Sequence, residues 1–290
     1  MKQVIALALV ALAPATAGSV EIFACEPEWA SLISEIAGND AQVTVATTAF
    51  QDPHRLQAKP SLIAAIRDAD LVVCTGADLE IGWLPLLLRR GGAPELFMAA
   101  DHVRKLEVPK VVDRAQGDVH PQGNPHIHLD PRNVRRIADA LAEKLASLDA
   151  ANADDYRRRL GDFQDRWLAA MDEWDERGLR LAGLELASHH RSFSYLANWL
   201  DLDIVATLES KPGIPPSGAQ LASLLEKLSP RPPVGVIRTP YENEKPSLWL
   251  SERLSIPAIR LPYTVGGNPE VVDLFALFDE TLTILEEYGQ

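Results

Sequence analysis

Leu71-Val72-Val73-Cys74-Thr75-Gly76 is four apolar residues, a threonine and a glycine, and it reads as a buried β-strand that ends in a turn. Upstream, Ser61 stands where it caps a helix running through Arg67. Residues 42–46 are β-branched and strand-like, and a loop over 47–60 carries His54. Residues 28–37 put Trp29, Leu32, Ile33 and Ile36 on one helical face, and Gly38-Asn39-Asp40 stop the run. Residues 19–25 form a further apolar, strand-like segment. Strand, helix, strand, helix, strand is the alternation of a parallel sheet with right-handed crossovers. In such a sheet, ligand loops leave the carboxyl ends of the strands, as the loop with His54 does.

Downstream, Trp83 and the leucines of 79–88 read as core, a Gly/Pro break covers 91–94, and 108–112 is expected to be a short strand. From 132 to 148, Val134, Ile137, Ala138, Leu141 and Leu145 mark one face of a helix. A longer helix over 154–181, with Asn152 as its cap, carries Tyr156, Leu160, Phe163, Trp167, Met171 and Trp174 at core spacing. Roughly 28 residues at 1.5 Å each make a rod of about 40 Å, enough to run along two lobes. The alternation then resumes. Strands are expected at 185–187, 204–207, 234–238 and 258–261, and helices at 193–200, 217–227, 247–254 and 271–287. The expected fold is α/β: two lobes, each a parallel sheet flanked by helices, joined by a long connecting helix. The divisions fall at 18–150, 151–182 and 183–290.

The chain has 290 residues and is 47% hydrophobic, enough for two cores. Lys2, an apolar run over 4–12 and Ala15-Thr16-Ala17 resemble a secretory leader, so residues 1–17 are expected to be a signal peptide and the protein secreted. The run is too short to span a bilayer, and no lipoprotein box precedes Cys25. The net charge is −13, one unit lower without Lys2, which argues against nucleic acid as a partner and suits a cation. Cys25 and Cys74 both fall in strands of one expected sheet. They are either a cross-strand bridge or two small buried residues, and in neither case metal ligands.

Asn124-Pro125-His126-Ile127-His128-Leu129-Asp130-Pro131 is a short run stiffened by two prolines. If it is extended, His126, His128 and Asp130 share a face. His54, His126 and His190 each sit in a loop after an expected strand, two from the first lobe and one from the second. A cleft between the lobes would collect them, and three imidazoles suit a borderline-soft divalent ion such as zinc. General-base catalysis and unrelated surface histidines remain alternatives. There is no Gly-x-Ser-x-Gly elbow and no His-Glu-x-x-His.

Three segments carry a resemblance. They are Asp52-Pro53-His54 with Lys59-Pro60-Ser61 and Ala69 onward to Glu80, then Asn124 onward to Pro131, then His190-Arg191-Ser192-Phe193-Ser194-Tyr195-Leu196. Together they resemble the cluster A-I zinc and manganese substrate-binding proteins of ABC importers. Thr264-Val265-Gly266-Gly267 adds similarity to the AztC-type periplasmic zinc-binding proteins within that family. The resemblance implies a protein that captures Zn²⁺ as transported substrate between its lobes and hands it to an inner-membrane ABC permease, with a periplasmic metallochaperone as a candidate donor. No reaction would be catalysed; a secreted zinc-dependent hydrolase is the alternative.

By position, the metal ligands implied are His54, His126 and His190. Where manganese members carry a carboxylate, this chain has His190. The family's acidic ligand in the last loop has no clear counterpart. Asp273 is taken as the fourth ligand, with Glu242, Glu270 or water as the other choices and helix capping as the competing role for Asp273. His128 stands where the family often has Trp, and the loop before His126 is short, with His120 its one histidine.

Overall fold

The computed structural model describes residues 19–92, 94–112, 117 and 120–289. The expected leader at 1–17 lies outside the described residues.

Among the described residues the chain forms two four-stranded sheets, every strand pair parallel. The first contains β1 (Val20–Ala24), β2 (Ala41–Val45), β3 (Leu71–Cys74) and β4 (Glu95–Met98). Its helices are α1 (Pro27–Ala37), α2 (Pro60–Asp68) and α3 (Leu84–Gly91). Helices α4 (Pro131–Leu148) and α5 (Ala153–Gly178) lead to the second. That sheet contains β5 (Glu185–Ser188), β6 (Asp203–Thr207), β7 (Gly235–Arg238) and β8 (Ala258–Arg260), with α6 (Ser194–Leu200), α7 (Gly218–Leu228), α8 (Glu244–Leu254) and α9 (Leu274–Glu286). The strand orders, β2-β1-β3-β4 and β6-β5-β7-β8, are the same plan. In each sheet the order reverses beside its first strand, between β1 and β3 and between β5 and β7. Loops diverge at such a point and leave a crevice at the carboxyl ends of the strands.

Several local expectations need correction. Residues 95–98, not 108–112, supply the fourth strand of the first sheet. Val108 and Val111 are exposed, and Pro109 between them lacks the N–H that a ladder needs. Ser61 does not cap α2; Lys59 is the cap residue and Pro60 opens the helix, with φ pre-set for that position. Asn152 precedes α5 without a side-chain cap bond, and its amide goes to Asp149 instead.

The long helix α5 has 26 residues and touches both halves. Arg159 donates to the Ala37 carbonyl at the end of α1, and Trp167 Nε1 donates to the Pro131 carbonyl at the start of α4. On the other side Trp167 and Trp174 pack against Phe275 and Phe278 of α9, with ring centroids 4.8–6.3 Å apart. Burying one such ring contributes on the order of 1.5–3 kcal/mol. The stripe expected to be core is therefore also the joint between the lobes. Among the described residues no helix is long and apolar enough to cross a membrane.

The reversal point of the first sheet is filled rather than open. Cys25 and Cys74, fully buried at the ends of β1 and β3, are bridged, with 49 residues of sequence separation. Beside the bridge, Glu26 and Glu80 are buried together around Thr75. Its N–H donates to Glu80 Oε1 at 2.8 Å and its hydroxyl to Glu26 Oε2 at 3.2 Å. The Gly76 N–H also donates to Glu80, from a left-handed φ of 77°. Burial pushes the Glu80 carboxyl from 4.5 up to about 7, against those backbone donors. Burial, then the charges of Glu80 and Glu28, hold Glu26 well above its ordinary value.

Two outcomes follow from this packing. Closing a loop of this length limits the unfolded chain by about 4 kcal/mol in the chain-entropy account. Cys25→Ser/Cys74→Ser should lower the unfolding free energy by about that much in urea melts; an unchanged midpoint would show the bridge to be thermodynamically idle. For the carboxylates, the folded chain keeps a proton that the unfolded chain has lost between pH 4.5 and about 7, so stability falls as pH rises through that window. Glu80→Gln mimics the protonated form and should flatten the decline in melting temperature from pH 5 to 8. A decline as steep as wild type would mean the pair does not hold that proton.

Candidate metal centre

His54 lies in a single 3₁₀ turn, Pro53–Arg55, that follows β2. Asp52 starts that turn: its Oδ1 accepts the His54 N–H at 3.0 Å and meets His54 Nδ1 at 2.8 Å. His126 is set by Asn124, whose Oδ1 accepts the His126 N–H at 2.9 Å while its amide donates to the Arg191 carbonyl across the cleft. His190 follows β5 in the second sheet, and its Nδ1 lies 2.7 Å from Glu209 Oε2. Glu209 is fixed in turn by the Gly213 N–H at 2.8 Å.

The three rings form a nearly equilateral triangle. Their centroids are 5.5 Å apart for His54 and His126, 5.6 Å for His126 and His190, and 5.8 Å for His54 and His190. One ring nitrogen from each lies within 4.8 Å of the other two. In every ring Nδ1 is engaged: by Asp52, by the Tyr263 hydroxyl at 2.8 Å for His126, and by Glu209. A carboxylate can only accept, so Nδ1 carries the proton in His54 and His190, and Nε2 is the lone-pair nitrogen that faces the centre. Nε2 of His54 and of His126 is buried without a hydrogen-bond partner. Each such nitrogen costs about 1–3 kcal/mol, a cost that a cation at the centre would offset.

Electrostatics differ around the triangle. Burial, with the neighbouring imidazoles, holds His126 well below the usual histidine value, so it is neutral and ready to coordinate. Burial would lower His190 as well, but the hydrogen bond and charge of Glu209 outweigh it and hold the ring above 6.5. Burial would raise the Asp52 carboxyl, yet its bonds to His54 hold it below 3.8. Two carboxylates and a phenol thus stand one bond behind the three rings. Such an array lends negative charge to a cation without occupying its coordination sphere.

The structure brings together His54, His126 and His190, and it does not bring Asp273 to them. Asp273 caps α9, its Oδ1 accepting the Ala276 N–H at 2.8 Å, in a separate surface cleft beside Pro27, Ser31 and Val272. The expectation of Asp273 as fourth ligand is corrected on that ground: the capping bond occupies it elsewhere. Glu270 is exposed in the preceding turn. The extended run expected at 124–131 is also corrected. Ile127–Leu129 is a 3₁₀ turn, and the ring cluster does not include His128. Its Nε2 lies 2.8 Å from the Tyr263 carbonyl and its Nδ1 3.2 Å from Glu28, all of them buried. His120 stands at the rim, its ring 5.2 Å from that of His54, on an open cavity of about 600 Å³ that also reaches His126 and His190.

Sequence reasoning missed Asp52, Glu209 and Tyr263 as the groups that hold the rings. Asp52 could have been found two residues before His54. Glu209 and Tyr263, 19 and 137 residues from the rings they hold, leave no local signal.

The family model for the zinc-uptake complex component A periplasmic protein, ZnuA, matches residues 22–287. The high-affinity zinc uptake system protein ZnuA of Paracoccus denitrificans is 25% identical over 81% of this chain and 80% of its own length. The manganese ABC transporter substrate-binding lipoprotein PsaA of Streptococcus pneumoniae is 22% identical over 81% of this chain and 76% of its own. The zinc-binding lipoprotein AdcA of Streptococcus pneumoniae is 24% identical over 66% of this chain, which spans only 39% of that relative. A solved ZnuA structure superposes with a TM-score of 0.80 at 22% identity, covering 94% of this chain and all of that one. With the family model matched over nearly the whole described chain, the protein belongs to the ZnuA family of zinc- and manganese-binding substrate-binding proteins of ABC importers, cluster A-I.

Proposed function

We propose that this chain is a periplasmic zinc-binding protein that captures Zn²⁺ between its lobes with His54, His126 and His190 and delivers it to an ABC permease. The leader at 1–17 would be removed, leaving lobes at 18–150 and 183–290 around the connecting helix region 151–182. A periplasmic metallochaperone is a candidate donor of the ion.

One observation carries the reading: three imidazoles from two lobes face one point with their Nε2 atoms while every Nδ1 is held from behind. Three imidazole nitrogens suit zinc, whose bonds to nitrogen are about 2.0–2.1 Å. Manganese is harder and favours carboxylate and water oxygen, and among the described residues no carboxylate shares the 4.8 Å cluster with the rings. Family membership supports transport over the hydrolase alternative.

Competition dialysis against equal zinc and manganese tests both the metal and its ligands. At about pH 7.5 we expect one equivalent of zinc and little manganese to be retained. Each ring must give up its proton to bind, and Glu209 holds the His190 proton above 6.5. Lowering the pH through that value therefore sets protons against the ion, and retention should fall steeply by about pH 5.5. Equal retention of the two metals would overturn the zinc assignment, and affinity independent of pH would remove the histidines from the site.

A further inference from the structure

We propose that His128 is a positioning residue: it fixes Tyr263, and through the Tyr263 hydroxyl the His126 ring, so that zinc affinity depends on a side chain that does not touch the ion. This rests on the three-histidine reading. His128 and its neighbour Glu28 are both fully buried, in company with Trp29, Ile127 and Leu129 of the apolar core. Burying an imidazole and a carboxylate there is costly unless the bonds they make hold something in place.

What they hold is the segment after β8. His128 Nε2 lies 2.8 Å from the Tyr263 carbonyl, which can only accept, so that nitrogen carries a proton. Nδ1 stands 3.2 Å from Glu28 Oε1, and Glu28 Oε2 accepts the Thr264 hydroxyl at 2.5 Å. The Tyr263 ring meets both histidine rings edge-on, its centroid 4.9 Å from that of His128 and 5.5 Å from that of His126. Its hydroxyl completes the path, 2.8 Å from His126 Nδ1. His126 needs this help more than the other two rings do. His54 and Asp52 share one turn, and His190 and Glu209 follow the paired strands β5 and β6. Tyr263 instead comes from the end of the second sheet to a ring that precedes α4, so any shift between those parts loosens its hold. A phenol oxygen also donates as well as accepts and brings no charge to fix the ring, so the placement of the Tyr263 backbone has to do so.

Zinc affinity, measured by chelator competition on His128→Asn, His128→Gln, Tyr263→Phe, the double variant His128→Asn/Tyr263→Phe and His126→Ala, separates the outcomes. A Gln amide reaches as far as Nε2 and can still donate to the Tyr263 carbonyl, whereas the shorter Asn amide stops at the level of Nδ1. Losing a partner behind a ligand costs about 10–100-fold in metal affinity, so His128→Asn and Tyr263→Phe are each expected to lower it by about tenfold or more. His128→Gln should stay near wild type. Because both losses act on one hydroxyl, the double variant should bind no more weakly than the weaker single. Wild-type affinity in His128→Asn or in Tyr263→Phe would overturn the proposal. So would equal losses in His128→Asn and His128→Gln, which mark a merely structural role, or losses that multiply in the double variant. In each of those cases weak binding by His126→Ala leaves the three-histidine site standing. If His126→Ala binds zinc as wild type does, the three-histidine reading itself fails and the role of His128 falls with it.

Discussion

Three rings can face one point with bare nitrogens only if each is gripped by its other nitrogen. Asp52, Tyr263 and Glu209 provide those grips, at 2.7–2.8 Å. Bonds to a charged partner contribute about 1.5–3 kcal/mol, comparable to the cost of leaving a buried Nε2 unpaired, so the grips can hold the rings in this arrangement in the folded state. Much of the local structure follows from this need. Pro53 starts the turn that places His54 over Asp52, Asn124 pins the backbone of His126, and the Gly213 N–H steadies Glu209.

The grips also cross between lobes. Tyr263 follows the last strand of the second sheet, yet its hydroxyl orients His126 and its carbonyl meets His128, both ahead of α4. Thr264 donates to Glu28 of α1, and Arg55 donates to the Gly213 carbonyl. Helix α5, packed on α1, α4 and α9, holds the lobes in the relation that these bonds require. A helix without proline or a π-bulge resists bending, so rearrangement at the site falls to side chains and loops more easily than to a hinge in α5.

Much of this was legible in the sequence. Both sheets show as apolar runs alternating with helical periodicity, and His54, His126 and His190 show as histidines after strands or at a proline-stiffened loop. What failed did so for physical reasons. β4 is four residues long with two of them exposed, so its apolar signal is weak, whereas Val108 to Val112 carries the right residue types with no strand to pair with. His-x-His implies a shared face only in an extended chain, and a 3₁₀ turn at Ile127–Leu129 sends His128 into the core. Asp273 has the right chemistry near the right strand, but a helix start claims it. Glu209 and Tyr263, which hold His190 and His126, are tertiary partners, and periodicity carries no information about those.

The account stands on where the ion sits. Anomalous diffraction at the zinc edge, from crystals of the protein loaded with one equivalent of zinc, locates it directly. The account predicts one strong peak about 2.0–2.1 Å from Nε2 of His54, His126 and His190. A principal peak elsewhere, or one bonded to fewer than three of these rings, would contradict it.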